Sequence, residues 1–431
     1  LASWDEAVYA TAAKEMAQSG DWLRLTFGRV PWVDKPPLAI WFTAVFYKWL
    51  GVNEFSARLF SALCGIGTVI VTYFFGRAVF NRWIGFLGAL VLLSSSVFFR
   101  FSRFGMLDAP LTFFFSLALY FFWIGRIHNR CLILSGVATG FALMVKGFAA
   151  FFIFPVVWIY CFWAGEIEIL GRSSYWIGVM IAAAIALPWH LYLLFMDHQR
   201  FMQDMFIRHL FLRTASALDG HSGGVAFYVR VLVNKYHPWV IFAVLSVPFF
   251  LFKAIWERAK GPVFMVSWML VIFISATLIQ TKLSWYIFPI YPALSLTVGY
   301  LLSNLCGDHR AGFVKVLFVA IMLLHIPYSH IFNHDYSHDM KGIAESVKRA
   351  TPADKLVYLY NFHESPAAYF YLDRKNAYLD DKASFLSAAR DNKDFYCLIH
   401  EKDLAGIREA LPALGLAKAA SFENFYLITR S

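Results

Sequence analysis

The sequence predicts a mainly α-helical, polytopic membrane protein that ends in a small soluble α/β domain. Three observations carry that expectation. Of the 431 residues, 59% are hydrophobic and only 15% charged. A soluble domain is about one quarter charged, so these charges are too few to cover a water-facing surface. Apolar runs close to the ~20 residues of a membrane span recur through most of the chain. From about Ser337 onward charges become frequent and the apolar runs shorten. Aromatic residues reach 19%, with 45 Phe and 15 Trp, which suits lipid-facing helix surfaces and interfacial belts.

In chain order, Asp5 to Ser19 reads as a short helix closed by Gly20-Asp21, and Pro36 to Leu50 as a second, too short to span. With Trp4, Trp22, Trp32, Trp41 and Trp49 they suit the depth of a membrane interface. Segment 1–54 is therefore expected as an outer loop with interfacial helices. Spans are expected at Phe55–Val79, Trp83–Phe99, Pro110–Gly125, Cys131–Val145, Phe148–Trp163, Tyr175–Phe195, Pro238–Phe252, Val263–Ile279, Trp285–Ser303 and Phe313–Phe332, about ten in all. They make a bundle over 55–336, interrupted by a long polar loop at 196–237. The tail, 337–431, alternates helix patterns (Lys341–Ala350, Ser365–Leu372, Ser384–Arg390, Asp403–Leu411) with strand patterns (Leu356–Tyr360, Phe395–Ile399, Phe425–Thr429). This is an α/β domain of ordinary size. No internal repeat is visible.

Counting crossings from Asp5 places Asp34, Lys35, Asp108, Lys146, His209, Arg213, Lys282 and the tail on one side. Every loop on the other side carries Lys or Arg, as the positive-inside rule expects. The net charge of +10 fits contact with anionic headgroups. Nucleic acid is not indicated, because the basic residues lie between apolar runs and form no basic arm. Five cysteines are present, and only Cys397 lies in the tail, so no disulfide framework is expected there.

Several polar groups on the Asp5 side could carry chemistry. Asp5 and Glu6 read either as an acidic first turn of a helix or as a general base. Asp34-Lys35-Pro36-Pro37 reads either as a solvated lead-in to a proline-started helix or as a rigid acid–base pair, its Lys suited to a phosphate. Asp108 is either a cap before Pro110 or, beside an apolar span, a functional carboxylate. Lys146 and Lys282 sit in tight turns and either snorkel or face an anion. So does Arg103. Arg213, near His209, could clamp phosphate, and Tyr286 follows Lys282 in an irregular span start. His209 with Asp34 could bind a divalent metal, although no close-spaced ligand motif is present.

Asp5-Glu6-Ala7-Val8-Tyr9-Ala10, Gly20-Asp21-Trp22 and Asp34-Lys35-Pro36-Pro37-Leu38 together resemble the first outer loop of bacterial GT-C glycosyltransferases. The nearest in kind are the aminoarabinose–lipid A transferases and the protein O-mannosyltransferase-like family. Phe104-Gly105-Met106-Leu107-Asp108, Val145-Lys146-Gly147-Phe148, Leu187-Pro188-Trp189 and Lys282-Leu283-Ser284-Trp285-Tyr286 fit later landmarks in order. The resemblance runs from about Asp5 to Pro292. It implies the GT-C fold, a polyprenyl-phosphate-linked sugar donor and inversion at the sugar carbon. It also implies a periplasm-facing active site in the bacterial inner membrane and a lipid A-like, other envelope or protein Ser/Thr acceptor. Asp5, with Glu6 beside it, and Asp108 would be the catalytic carboxylates. Lys35 would hold the lipid phosphate, helped by Arg213, with Lys146, Lys282, Tyr286 and Arg103 lining its pocket. A monomer is expected. The family has Glu where this chain has Asp34, one methylene shorter, which bears on the metal pair with His209. It also has a span before the Asp-Glu motif, which would bring the count to about eleven.

Three rivals stand beside this reading. A flippase or transporter usually places its site near the midplane of repeated halves. A non-catalytic lipid-binding assembly protein explains the basic face but not the acids. An oligosaccharyltransferase would be supported by a Trp-Trp-Asp-type motif in the tail, and none is seen.

Overall fold

The computed structural model describes residues 1, 4–218, 220–306, 340–361, 366–372, 376–422 and 424–430, with His209, Leu210 and Cys306 described by backbone alone. The chain divides into two compact units, Leu1–Pro31 with Asp335–Ser431, and Trp32–His334. In chain order the first elements are α1 (Trp4–Ser19), β1 (Thr26–Phe27), β2 (Val30–Pro31), α2 (Leu38–Leu50), α3 (Glu54–Val79), α4 (Arg82–Ser94), α5 (Ser96–Arg103) and α6 (Asp108–Gly125). There follow α7 (Arg130–Lys146), α8 (Ile153–Ala164), α9 (Ser173–Met196), the π-type helix α10 (Phe201–Leu212), α11 (Phe227–Lys235), α12 (Val240–Ile255), α13 (Lys260–Leu278) and α14 (Tyr291–Cys306). The last stretch holds α15 (Met340–Ala350), β3 (Val357–Tyr360), α16 (Ala367–Leu372), β4 (Asn376–Leu379), α17 (Lys382–Asp391), β5 (Tyr396–His400), α18 (Glu401–Leu404), α19 (Ala410–Ala413), β6 (Leu416–Phe422) and β7 (Phe425–Arg430).

The unit Trp32–His334 is a helical bundle. Among the described residues, six helical segments are long and apolar enough to cross a membrane, or seven if α4 and α5 count as one bent span. The expected straight span Trp83–Phe99 is instead two helices at 65°, broken at Ser95, whose extended backbone ends α4. α5 then turns Arg100 and Arg103 into its last turn. α2 and α12 are shorter apolar helices. The expected span Phe313–Phe332 lies outside the described residues.

By length and composition Arg130–Ala164 is one stretch of 35 residues, yet its two ends face the same way. Lys146, at the end of α7, pairs with Asp108 at the start of α6 (2.6 Å). Glu166, just past α8, pairs with Arg126 at the end of α6 (2.5 Å). So α7 runs antiparallel to α6, and α8 runs back alongside it. The reversal is made at Gly147, whose φ of 43° is a backbone state that glycine adopts without steric cost. Lys260, which opens α13, joins Glu166 at 2.6 Å, and Arg172 donates to the Arg126 carbonyl at 2.9 Å. One end of the bundle is thus clasped by a charged cluster, and the other carries the Asp108–Lys146 pair.

Without a hydrophobic drive between helices in lipid, close packing depends on small residues. At Gly136 on α7 an added Cβ would stand 2.0 Å from the Gly178 carbonyl oxygen on α9, so the two backbones touch. Gly136→Val is expected to cost at least about 1–3 kcal/mol by overpacking. The check is the yield of monodisperse protein after detergent extraction, and wild-type yield would contradict the contact.

The other unit is built on a five-stranded sheet of order β4-β3-β5-β7-β6. β3 pairs in parallel with β4 and β5, while β7 pairs antiparallel with β5 and β6. The expected α/β tail is present, with β4 and β6 added to it. Asp5–Ser19 is helical as expected, and α1 packs into the core of this unit. Ala7, Ala12 and Ala13 are fully buried, and Ala7 joins Met340, Val347 and Leu359 in one apolar core. Lys14 donates from Nζ to the Phe370 carbonyl at 2.9 Å. The run of small side chains is what lets α1 pack so closely. The first 31 residues therefore cluster with the tail, whereas residues 32–54 cluster with the bundle.

Candidate active site

At the end of the bundle away from the Glu166 clasp, polar groups converge from four elements. Asp108 opens α6, where the helix dipole favours a carboxylate. Its residue is 2% exposed, and Lys146 Nζ meets its Oδ1 at 2.6 Å. A buried carboxylate is costly without such a partner. The Asp34-Lys35-Pro36-Pro37 turn lies next to the Lys146–Gly147 reversal: an added Cβ at Gly147 would meet Pro36 Cγ at 3.8 Å. Lys35 folds its ammonium back to the Asp34 carbonyl at 3.2 Å. The two lysine-bearing turns thus sit side by side.

α10 covers this corner. Phe206 packs edge-on to Phe148 with ring centroids 5.3 Å apart. Asp204 has a pKa raised first by burial and then by the charge of Asp34. Asp204 lies in the polar stretch 196–237, and its neighbourhood to Asp34 arises only when α10 folds over the turn. The His209 side chain lies outside the described residues. Among those described, no three His, Cys, Asp or Glu side chains gather as a metal-binding group. Asp34 and Asp204 offer two carboxylates where a catalytic zinc takes three protein ligands.

Beyond α10, Arg213 Nη1 donates to the Tyr286 hydroxyl at 3.0 Å. The loop holding Arg213 is strapped to the segment after α13. Thr281 N donates to the Arg213 carbonyl (3.0 Å), Gln280 N to that of Thr214 (3.3 Å) and Lys282 N to that of His221 (2.9 Å). The Thr281 hydroxyl adds a bond to the Ser216 carbonyl (2.9 Å) and accepts one from Leu218 N (3.1 Å).

Lys282 is buried, and its ammonium turns to the last carbonyls of α13: Thr277 (2.5 Å), Ala276 (3.4 Å) and Ile279. A helix C-terminus suits a cation, while desolvation lowers its pKa. Serving a phosphate would require Lys282 to leave those carbonyls. Arg103 is exposed and stacks on Phe99 at 5.5 Å. Asp5 and Glu6 open α1 in the other unit, where Glu6 is fully buried. The Asp34–Pro37 turn, Asp108 and Lys146 thus adjoin one another, and Arg213 meets Tyr286 beyond α10.

A family model described as dolichyl-phosphate-mannose-protein mannosyltransferase matches residues 34–192, which include Asp34, Lys35, Asp108 and Lys146. Over the whole chain, the structure matches ArnT from Cupriavidus metallidurans, solved bound to undecaprenyl phosphate, with a TM-score of 0.84, 19% identity and 94% of that chain covered. The chain has the GT-C fold. Its sequence is 28% identical over 304 residues to an uncharacterized Aquifex aeolicus protein, covering 70% of this chain and 59% of that protein. It is 25% identical over 321 residues to the undecaprenyl phosphate-alpha-4-amino-4-deoxy-L-arabinose arabinosyl transferase of Yersinia pestis, covering 72% and 57%. The chain thus spans less than two thirds of the length of these two relatives. The GT-C resemblance read from the sequence stands as a fold. The GT-C fold also accounts for the multi-pass bundle.

Proposed function

We propose that this GT-C protein is an inverting glycosyltransferase that moves a sugar from a polyprenyl-phosphate donor to a lipid A-like or other envelope acceptor. The proposed location is the bacterial inner membrane, with the site facing the periplasm. The observation that carries the reading is the buried Asp108 carboxylate, held by Lys146 next to the Lys35 turn. That arrangement joins an acid able to orient a sugar or acceptor to cations able to receive a leaving anion.

The proposed reaction is a single in-line displacement. The acceptor oxygen attacks the anomeric carbon, the bond to the phosphate oxygen breaks, and polyprenyl phosphate leaves with the electron pair. Lys35 and Arg213 stabilise the charge growing on that phosphate. A hydroxyl acceptor gives up its proton to a carboxylate. A phosphate acceptor is already an anion and needs only positioning. Asp5 remains a candidate carboxylate on the strength of its sequence pattern. No step is assigned to a metal.

The test uses purified protein in lipid with a panel of undecaprenyl-phosphate sugars, and lipid A or peptide as acceptor. Released undecaprenyl phosphate and glycosylated acceptor are read by mass spectrometry, with Asp5→Asn and Asp108→Asn as controls. Transfer lost in Asp108→Asn supports the reading; tight lipid binding without transfer from any donor defeats it. Tyr286→Phe removes the hydroxyl that fixes Arg213, a bond worth about 1 kcal/mol. It is expected to raise the donor KM about fivefold with little change in kcat, and an unchanged KM would detach Arg213 from the donor.

A further inference from the structure

A second gathering of positive charge lies on the other flank of the Ser284–Ile290 turn. Lys235, at the end of α11, donates from Nζ to Ser284 Oγ at 3.0 Å. Desolvation lowers the pKa of Lys235, and the charge of nearby Arg100 lowers it further. The Arg100 guanidinium stands 5.6 Å from the Phe104 ring centroid, and that of Arg58 stands 5.8 Å from the same ring. Two cations therefore share one aromatic face system, a contact that suits arginine.

These three residues come from α3, α5 and α11, and the fold holds them together on purpose-built contacts. Ser96 N donates to the His237 carbonyl at 2.9 Å. Ser96 Oγ donates to the Lys235 carbonyl at 3.0 Å. The start of α5 is thus fixed to the end of α11. Phe101 packs on Trp285 with centroids 6.2 Å apart, which fixes α5 to the Ser284 turn as well. Phe104 opens the short segment that leads directly to Asp108, so the gathering adjoins the proposed site.

Ser284 and Tyr286 sit two residues apart on one 3-10 turn. At three residues per turn their side chains leave on different sides. Ser284 serves Lys235, and Tyr286 serves Arg213. One turn therefore separates two basic groups, where a transfer between two phosphate-bearing lipids needs two phosphate positions.

We propose that Arg58, Arg100 and Lys235, with the Ser284 hydroxyl, form a second anion pocket that takes the phosphate of an acceptor lipid, apart from the groups assigned to the donor phosphate. The assignment of acceptor rests on the transferase reading; the anion pocket itself does not.

The experiment is equilibrium binding to the full chain in phosphatidylcholine nanodiscs, without donor turnover. The probes are a bisphosphorylated disaccharide lipid, its dephosphorylated counterpart, undecaprenyl phosphate and phosphatidylglycerol. Arg100→Ala/Lys235→Ala is expected to weaken the bisphosphorylated lipid about tenfold or more, the worth of one or two charged hydrogen bonds. Undecaprenyl phosphate should bind as to wild type, which also reports that the variant is folded, and Lys235→Arg should keep acceptor affinity. Equal loss of undecaprenyl phosphate would make these residues part of the donor site and overturn the proposal. So would equal binding of phosphatidylglycerol or of the dephosphorylated lipid, or no change in the double variant. Should wild type bind the acceptor through these residues yet transfer nothing, the transferase reading falls while the pocket stands.

Discussion

Asp108→Asn is expected to lower sugar transfer by about 100- to 10,000-fold, with the protein still folded. The amide fills the same space and can accept from Lys146, but it carries no charge to orient or to accept a proton. Lys146→Met is the informative companion. It leaves the buried Asp108 carboxylate without its 2.6 Å partner, and breaking a buried pair costs about 3–5 kcal/mol. The double variant Asp108→Asn/Lys146→Met should recover part of that stability, because the buried carboxylate charge is gone together with the ammonium, but it should recover no activity. Thermal unfolding in detergent and release of undecaprenyl phosphate read the two effects separately. A full transfer rate in Asp108→Asn would remove Asp108 from the reaction.

The second large effect belongs to the opposite end of the bundle. Glu166 accepts from Arg126 Nε and Nη2 at 2.5 and 2.6 Å, and from the Tyr160 hydroxyl at 2.7 Å. It also pairs with Lys260 at 2.6 Å. Glu166→Ala leaves Arg126 without its carboxylate, so a loss of about 3–5 kcal/mol is expected. Lys260, more than half exposed, contributes little of it. Transfer at temperatures where the variant stays folded should be unchanged. A variant that melts like wild type would show the clasp to be idle.

The same clasp sets a pH dependence. Burial alone would raise the Glu166 pKa, but hydrogen bonds from Arg126, Lys260 and Tyr160 outweigh it and hold the group at about 2, against an ordinary value of 4.5. A depressed folded-state pKa stabilises above the unfolded value, and that stability drains away as pH falls from 4.5 towards about 2. Wild type should lose melting temperature in that window more steeply than Glu166→Gln.

Much of the bundle was legible because lipid imposes a simple rule: a span is a long apolar run, and chemistry is what interrupts it. Asp108, Lys146 and the Asp34-Lys35-Pro36-Pro37 turn stood out as such interruptions, and the structure brings their turns together. The bend at Ser95 had only the Ser94-Ser95-Ser96 run to mark it, since Trp83–Phe99 lacks proline and carries no charge. β4 and β6 were hidden for a different reason. Asn376–Leu379 has only four residues, and Leu416–Phe422 is rich in alanine, so neither has a β-branched signature. The docking of α1 beside the tail was equally invisible, because sequence distance says nothing of which surfaces meet. Asp204 carried no signal of its own in the sequence, because its neighbour Asp34 reaches it only through the fold.

The strap that fixes Arg213 is made mostly of main-chain bonds. Residues 214 to 218 can therefore change their side chains while the arginine keeps its register, with Thr281 as the single side chain the strap draws on. The loop can diversify without resetting the cation behind it. Side-chain variation there leaves the ladder in place, whereas a deletion of one residue would shift it and carry Arg213 away from Tyr286.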